Sequence, residues 1–474
     1  MHHGFKSIGL LFTGIALLSG CGSKAVFTSP SPTPIPPFTP PATVANQWMW
    51  VSGSNSLYPL GTYGTLGTAA PANTPGSRVW ATSWTDKLGN LWLFGGVGQD
   101  SKDSAVVLND LWMFDGAQWT WEGGSSVDLQ PSRARGVGGT YGTMGVASPS
   151  NYPGSRNSAT SWTDGQGNFW LFGGEGFDST GDDCWLNDLW RYSSGEWTWM
   201  SGPDVCVGLG SPGVYGTQGV AAPGNVPGGR LGANSWTDAQ GNLWLFGGQG
   251  ESSTTGSGAL NDLWKYSGGQ WTWMSGSNLI NQYGAYGTLG VAASGNVPGA
   301  RQWAVTWIDK SGNLWLFGGE GNGSPGNGGD LNDLWKYNPG NGQWTWMGGS
   351  DIGSQTGIYG TQGVAAPGNI PPGRDNAVAW TDAQGNFWLF GGYAFTSLDV
   401  LNDLWEYSGG QWTWVSGSNL PDEPGAYGTK GVSSPSNVPG AREGSVSWID
   451  PSGNLWLFGG EGSGELNDLW VYQP

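Results

Sequence analysis

Six arginines stand at matched positions along the chain, each shortly after a Pro-Gly pair: Arg78, Arg156, Arg230, Arg301, Arg374 and Arg442. They are six of only 17 basic residues, against 35 acidic ones. A guanidinium group binds a carboxylate through two parallel hydrogen bonds, so a ring of them could hold a carboxylate ligand or an acidic sugar. The alternative is structural, with each arginine fixing the incoming loop through backbone carbonyls or an Asp.

Three glutamates, Glu175, Glu320 and Glu461, directly follow a Gly-Gly pair. Two such carboxylates could act as acid and base on a glycoside or a sugar anomer, although nothing in the sequence pairs them. The only histidines are His2 and His3, in a segment that we expect to be removed. Serine and cysteine triads and the usual zinc or iron sites are therefore excluded, and we expect no metal and no cofactor.

The 33 tryptophans fall into two groups. Thirty occupy five recurring positions, which favours packing over a sugar-stacking surface because every repeat has them. The other three are Trp80, Trp185 and Trp303, and we expect them near one open face. For these, stacking on a sugar, binding a protein and local packing all stay open.

Two cysteines, Cys184 and Cys206, follow each other within one repeat. Neighbouring strands should deliver both to the same face, so outside the cytoplasm we expect a disulfide, with two free buried thiols as the alternative. The bond would contribute about 3 kcal/mol on the chain-entropy model.

The elements that position these residues repeat six times. Gly-Gly pairs end an aromatic strand at residues 95, 173, 247, 318, 391 and 459, which gives steps of 78, 74, 71, 73 and 68 residues. Each repeat contains four short β-like runs separated by Gly, Asp, Asn or Ser turns, which predicts a four-stranded antiparallel sheet. Such sheets bury both faces by stacking radially, so we predict an all-β, six-bladed propeller over residues 47–474.

The two ends of this region complement each other. The last repeat ends at Tyr472 without its fourth strand, and an unpaired Gln47–Val51 run begins the region. Pairing the two would close the ring without an exposed edge. The Gly-Gly pairs, the Asn-Asp-Leu-Trp segments and the spaced tryptophans resemble kelch repeats, a family of binding modules, scaffolds and a few enzymes. Galactose oxidase is one such enzyme, but its copper site uses His ligands that this chain lacks.

The connections differ in length between the two faces of the predicted disc. Tight turns join the first to the second strand and the third to the fourth, while long loops lie on the opposite face, where binding is usually built. The Asp-Xaa-Xaa-Gly-Asn turns favour capping of backbone N–H groups over calcium binding.

The first 46 residues read as targeting and spacing. Residues 1–20 resemble a lipoprotein signal peptide that ends before Cys21, the predicted lipidation site, with an ordinary secretory signal as the alternative. Gly22 fits sorting to a bacterial outer membrane, by resemblance alone. Residues 21–46 contain seven prolines between Pro30 and Pro41, which favours an extended linker over a Pro-rich ligand.

The net charge of −18 argues against nucleic acid as a partner. We therefore expect a monomeric, lipid-anchored, non-catalytic recognition module of the cell envelope that binds carbohydrate or protein through its loop-rich face. The alternatives are a carbohydrate-active envelope enzyme, either a glycosidase or similar to a sialic-acid mutarotase, and a structural scaffold.

Overall fold

The computed structural model describes residues 37–102, 105–127, 136–254, 256–394 and 399–474. The predicted signal peptide, the predicted lipidation site Cys21 and the N-terminal part of the Pro-rich linker, up to residue 36, lie outside these residues. Within them, no helix has the length and apolar character needed to cross a membrane.

The described chain forms six antiparallel blades around one axis, numbered here in chain order. The innermost strands are Thr82–Thr85, Thr160–Thr163, Asn234–Thr237, Val305–Ile308, Val378–Thr381 and Val446–Ile449. The second strands are Leu91–Gln99, Phe169–Phe172, Leu243–Glu251, Leu314–Phe317, Phe387–Phe390 and Leu455–Glu461. The third strands are Ala105–Phe114, Leu189–Ser193, Ser257–Ser267, Leu334–Asn338, Leu404–Ser408 and Glu465–Gln473. The outermost strands are Trp119–Gly123, Glu196–Ser201, Gln270–Ser275, Gln343–Gly348, Gln411–Ser416 and, for blade 6, Gln47–Ser52.

Short strands add to this frame on the face with the long connections. Those that precede an innermost strand are Arg78–Val79, Arg156–Asn157, Arg230–Leu231 and Arg301–Gln302. Those that form hairpins between second and third strands are Glu175–Phe177 with Asp183–Trp185, Glu320–Asn322 with Gly328–Asp330, and Tyr393–Ala394 with Asp399–Val400.

The N-terminal strand completes the last blade. Trp48 pairs with Tyr472 and Trp50 with Trp470, in antiparallel register. Trp48 is buried there against Phe390, Trp470 and Tyr472. The N-terminal strand Gln47–Ser52 therefore covers the edge of blade 6, as the missing fourth strand of this blade predicted.

The recurring tryptophans hold neighbouring blades together. Each innermost-strand indole N–H donates to a backbone carbonyl on the second strand of the next blade, and the six bonds run once around the axis. They are Trp84 to Trp170, Trp162 to Trp244, Trp236 to Trp315, Trp307 to Trp388, Trp380 to Trp456 and Trp448 to Trp92. The structure thus gives these columns a packing role between blades.

The long connections between blades are not free loops. In blade 1 the connecting segment sends Tyr63 under the blade edge, where its hydroxyl donates to Asp110 over 2.7 Å and its ring packs on Trp112. Asn73 of the same segment donates to the carbonyls of Thr68 and Trp119. Equivalent Tyr and Asn contacts occur in all six blades. The expectation that these loops build the binding face was wrong for the segments around the Tyr and the Asn. These two side chains bond each loop to the third and outermost strands of the blade that the loop leads into, as Tyr63 and Asn73 do in blade 1.

The linker ends earlier than residue 46. Phe38 is buried against Trp456, and its backbone N–H donates to the carbonyl of Leu88 in a tight turn. Thr39 bonds to Asp115 in a second tight turn of blade 1. The described chain therefore enters the propeller on the face with the tight turns, here called the blunt face.

Candidate functional site

A closed ring of backbone hydrogen bonds surrounds the axis on the face opposite the blunt face. One residue from each blade donates its N–H to the same position of a neighbouring blade, over 2.8 to 3.1 Å. The six members are Trp80, Ser158, Gly232, Trp303, Asn376 and Gly444. This ring, with the side chains around it, is called the axial mouth below.

All six residues of the ring have positive φ, between 50° and 61°. Glycine adopts this left-handed conformation without penalty, whereas a bulky side chain there costs on the order of 1 kcal/mol or more. Two of the four non-glycine residues are Trp80 and Trp303, in blades 1 and 4, which lie opposite each other. A large ring kept at a strained position is typical of a functional site.

Each of these indoles packs its five-membered ring against a neighbouring glycine. A Cβ on Gly444 would come within 2.9 Å of Trp80, and one on Gly232 within 2.5 Å of Trp303. Glycine at positions 232 and 444 therefore leaves the space that the two rings occupy. The Nε1 atoms of both rings are buried and have no hydrogen-bond partner among the described residues, so it is the ring surfaces that face the mouth.

The axial mouth encloses a pocket of about 170 Å³. Trp80 and Trp303 border it, and small residues such as Ser158, Ala377 and Ser445 form much of the remaining wall. A pocket of this size accommodates a single sugar ring.

Carboxylates gather on one side of the mouth, in blades 4 to 6. Glu443 pairs with Glu461, and Gln302 with Glu320, across short antiparallel bridges. Burial and, next to it, repulsion from Glu461 raise the pKa of Glu443 to about 7, while a hydrogen bond from the amide of Asn376 opposes the rise. Asp375 lies deeper, and burial followed by repulsion from Asp330 and Glu443 raises its pKa well above the ordinary range.

The opposite side of the mouth is mixed, because blades 1 and 3 carry apolar residues next to the repeat arginine while blade 2 carries Asn157 and Glu175. At the positions that carry Glu443 and Glu461 in blade 6, blade 1 has Val79 and Val97. Leu231 occupies the equivalent place in blade 3. The lining of the pocket itself offers a ligand Asn376 and Ser445 on the side of blades 5 and 6, with Glu443 two residues before Ser445 in the chain.

The six arginines do not belong to this site. Each guanidinium is fully buried and bonds to the Asp of the Asn-Asp-Leu-Trp segment in its own blade through two parallel hydrogen bonds. The pairs are Arg78–Asp110, Arg156–Asp188, Arg230–Asp262, Arg301–Asp333, Arg374–Asp403 and Arg442–Asp468, with separations of 2.6 to 2.8 Å. The idea that they bind a ligand was wrong, because their donors are used by these carboxylates and by backbone carbonyls inside the blade.

Trp185 lies away from the mouth pocket. It pairs with Glu175 in the hairpin of blade 2, and its backbone N–H donates to the backbone carbonyl of Leu209. The neighbouring Cys184 is bonded to Cys206 as a disulfide. Glu175 is exposed on this hairpin, opposite Asn157, so it stands apart from the carboxylates of blades 4 to 6.

Sequence reasoning missed Asp375, Asn376 and Glu443. Each follows a repeat arginine by one or two residues. The arginine itself is buried inside the blade, and these next two positions lie at or beside the axial mouth. A comparison of these two positions across the six repeats would have found them, because they vary while the arginine does not.

The fold and this site define a six-bladed, all-β propeller with a pocket of about 170 Å³ at its axis. The family model of the KLHDC2/KLHL20/DRC7 Kelch-repeats domain matches residues 288–474, which is less than half of the chain. No curated protein matches the chain. A solved structure titled "Structure of YjhT" is similar over 84% of this chain and 95% of that one, at 16% identity and a TM-score of 0.48.

Proposed function

We propose that this protein is a recognition module that binds a carbohydrate in the axial mouth. The observation that carries the proposal is the pair Trp80 and Trp303, two strained indoles on opposite sides of a pocket of about 170 Å³. Aromatic rings stack on the apolar faces of sugars, and the polar side chains Asn376 and Ser445 in the pocket wall suit sugar hydroxyl groups.

The predicted anchor gives this module its place in the cell. A lipid on Cys21 would hold the chain in a bacterial envelope, in the outer membrane if the resemblance at Gly22 is followed. The described chain enters on the blunt face, through Phe38 and Thr39. With that face toward the membrane, the axial mouth would point away from it and stay open to soluble glycans.

A carbohydrate-active enzyme is the second candidate. Glu443, with its pKa near 7, lies beside Glu461, and such a pair can move a proton at a sugar. NMR of the sugar after incubation with the protein separates the two candidates, because a recognition module returns its ligand unchanged.

The test is a glycan array probed with the purified chain and with the Trp80→Ala/Trp303→Ala double variant. We expect a restricted set of glycans to bind the natural protein and to be lost with the double variant. Trp185→Ala, which changes a tryptophan outside the mouth, is the matched control and should keep the signal. Binding that survives the double variant would exclude the mouth, and NMR detection of altered sugar would favour the enzyme.

A further inference from the structure

A second cavity lies on the same axis, at the blunt face. It has a volume of about 430 Å³, and its wall is formed by the innermost strands of all six blades. Serine, threonine and tryptophan make up most of that wall, and no charged residue lines it among the described residues. It is separate from the axial mouth, which other residues line.

Five hydroxyl groups form a ring inside this cavity, and each one uses its proton on the protein. The hydroxyl of one blade donates to the backbone carbonyl at the same position of the preceding blade, over 3.0 to 3.3 Å. The bonds are Ser83 to Ser447, Ser161 to Ser83, Ser235 to Ser161, Thr306 to Ser235 and Ser447 to Ala379. A hydroxyl oxygen that has donated its proton can only accept, so the ring offers acceptors to whatever occupies the cavity.

Carboxylates lie one residue beyond the innermost strands and do not line the cavity. Each innermost strand is followed directly by an Asp: Asp86, Asp164, Asp238, Asp309, Asp382 and Asp450. In blade 2, burial opposes ionisation of Asp164, but hydrogen bonds from Trp170 and Asn168 outweigh it and lower the pKa of this carboxyl. The same balance lowers the pKa of Asp309, through Asn313 and Trp315.

These two arrangements select one kind of ligand. The negative charges favour a cation on the axis, because six symmetric charges add there while their sideways pulls cancel. The wall lacks carboxylate ligands for a bare ion, but its acceptors suit the outward-pointing protons of bound water. We propose that the blunt-face cavity binds a small cation that keeps its hydration shell, of which hydrated Mg²⁺ is the simplest example.

The chain itself supplies matched variants for a test. Ala379 occupies the ring position in blade 5 and has no hydroxyl, while Thr306 occupies it in blade 4 and donates like serine. Alanine and threonine are therefore both compatible with the blade at this position. Ser161→Ala/Ser235→Ala removes two acceptors, Ser161→Thr/Ser235→Thr keeps them, and Ala379→Ser completes the ring.

The probe is hexaamminecobalt(III), a cation that does not exchange its ligands and presents N–H donors in place of water. Equilibrium dialysis at about 0.1 M salt, which screens the exposed charges, measures its binding to the folded chain. We expect one bound complex that Mg²⁺ displaces. Two lost hydrogen bonds should weaken binding by about tenfold or more in the alanine pair, the threonine pair should match the natural protein, and Ala379→Ser should bind more tightly.

Each opposite result overturns the proposal. Equal binding by the natural protein and the alanine pair would place the complex on the acidic surface, and no binding would leave the cavity without a cation. Thermal unfolding of each variant confirms that it is folded. Trp80→Ala should leave cobalt binding unchanged, so failure here is distinct from failure of carbohydrate binding at the mouth.

Discussion

Arg301 and Asp333 meet inside blade 4 through two parallel hydrogen bonds, 2.6 Å from Nη1 to Oδ1 and 2.8 Å from Nη2 to Oδ2. Both side chains are fully buried. The same Asp333 also accepts from the hydroxyl of Tyr286 and from the indole of Trp335, so one carboxylate joins the connecting loop, the arginine and the third strand. All six blades repeat this arrangement, which makes it the unit that fixes the loops to the blades.

Removing one partner of this pair should be costly. Asp333→Asn leaves the buried guanidinium of Arg301 without its counter-charge, and we expect a loss of about 3–5 kcal/mol in the free energy of unfolding. Urea unfolding followed by tryptophan fluorescence measures it. The double variant Arg301→Met/Asp333→Leu should lose less, because it leaves no buried charge behind. A loss below about 1 kcal/mol for Asp333→Asn would contradict the structural role.

Ring closure predicts a sharp difference within the N-terminal strand. Trp48 is buried between blade 6 and Phe390 of blade 5, so Trp48→Ala should lower the unfolding free energy by about 3–5 kcal/mol. Leu57→Ala, at an exposed residue just beyond this strand, should change it by less than about 0.5 kcal/mol. Equal effects of the two substitutions would mean that Gln47–Ser52 does not close blade 6.

The raised pKa of Glu443 predicts a pH dependence with a definite sign. Its pKa rises from 4.5 to about 7 on folding, so the folded chain binds more protons than the unfolded chain in this window. Stability should therefore fall as the pH rises from about 4.5 to 7, by roughly 3 kcal/mol from this group, and then level off.

Glu443→Gln should remove that part of the slope in unfolding curves measured from pH 4.5 to 8. Glu196→Gln, on the outermost strand of blade 2, is the control and should leave the slope as it is. An unchanged slope in Glu443→Gln would show that the Glu443 carboxyl titrates normally.

The disulfide should matter for stability and not for the mouth. Cys184 and Cys206 are 22 residues apart, and opening a loop of this length costs about 3 kcal/mol on the chain-entropy model. We expect Cys184→Ser/Cys206→Ser to unfold at a lower temperature in calorimetry while its glycan-array pattern stays the same. A changed pattern would mean that the blade 2 hairpin takes part in binding.

The repeat made the architecture predictable and concealed the site. The number of blades and the all-β fold followed from features that recur, such as the Gly-Gly pairs. The closing strand followed from the last repeat, which lacks a fourth strand after Tyr472. The role of the arginines did not follow, because a chain in one dimension does not show that Arg301 and Asp333 meet across 32 residues. Glu320 and Glu461 were found from their place after the Gly-Gly pairs, whereas Asp375 and Glu443 were missed, since they stand where the repeat varies and only the fold brings them together.

The loops show how a recurring signal can be overlooked. The Tyr-Gly-Thr and Asn-containing segments occur in every connection, as at Tyr63 and Asn73, and recurrence of this kind indicates packing. Length alone had suggested binding loops. Strained residues such as Trp80 lay beyond sequence reasoning, because positive φ at a tryptophan is visible only in the folded backbone.

Calorimetric titration of a glycan selected on the array tests the central claim most directly, in the natural protein and in Trp80→Ala, Trp80→Phe and Trp303→Ala. Stacking in the axial mouth predicts a loss of at least about tenfold in affinity for each alanine variant and a smaller loss for Trp80→Phe, which keeps an aromatic ring. Affinities within twofold of the natural protein in both alanine variants would contradict a binding site at the axial mouth.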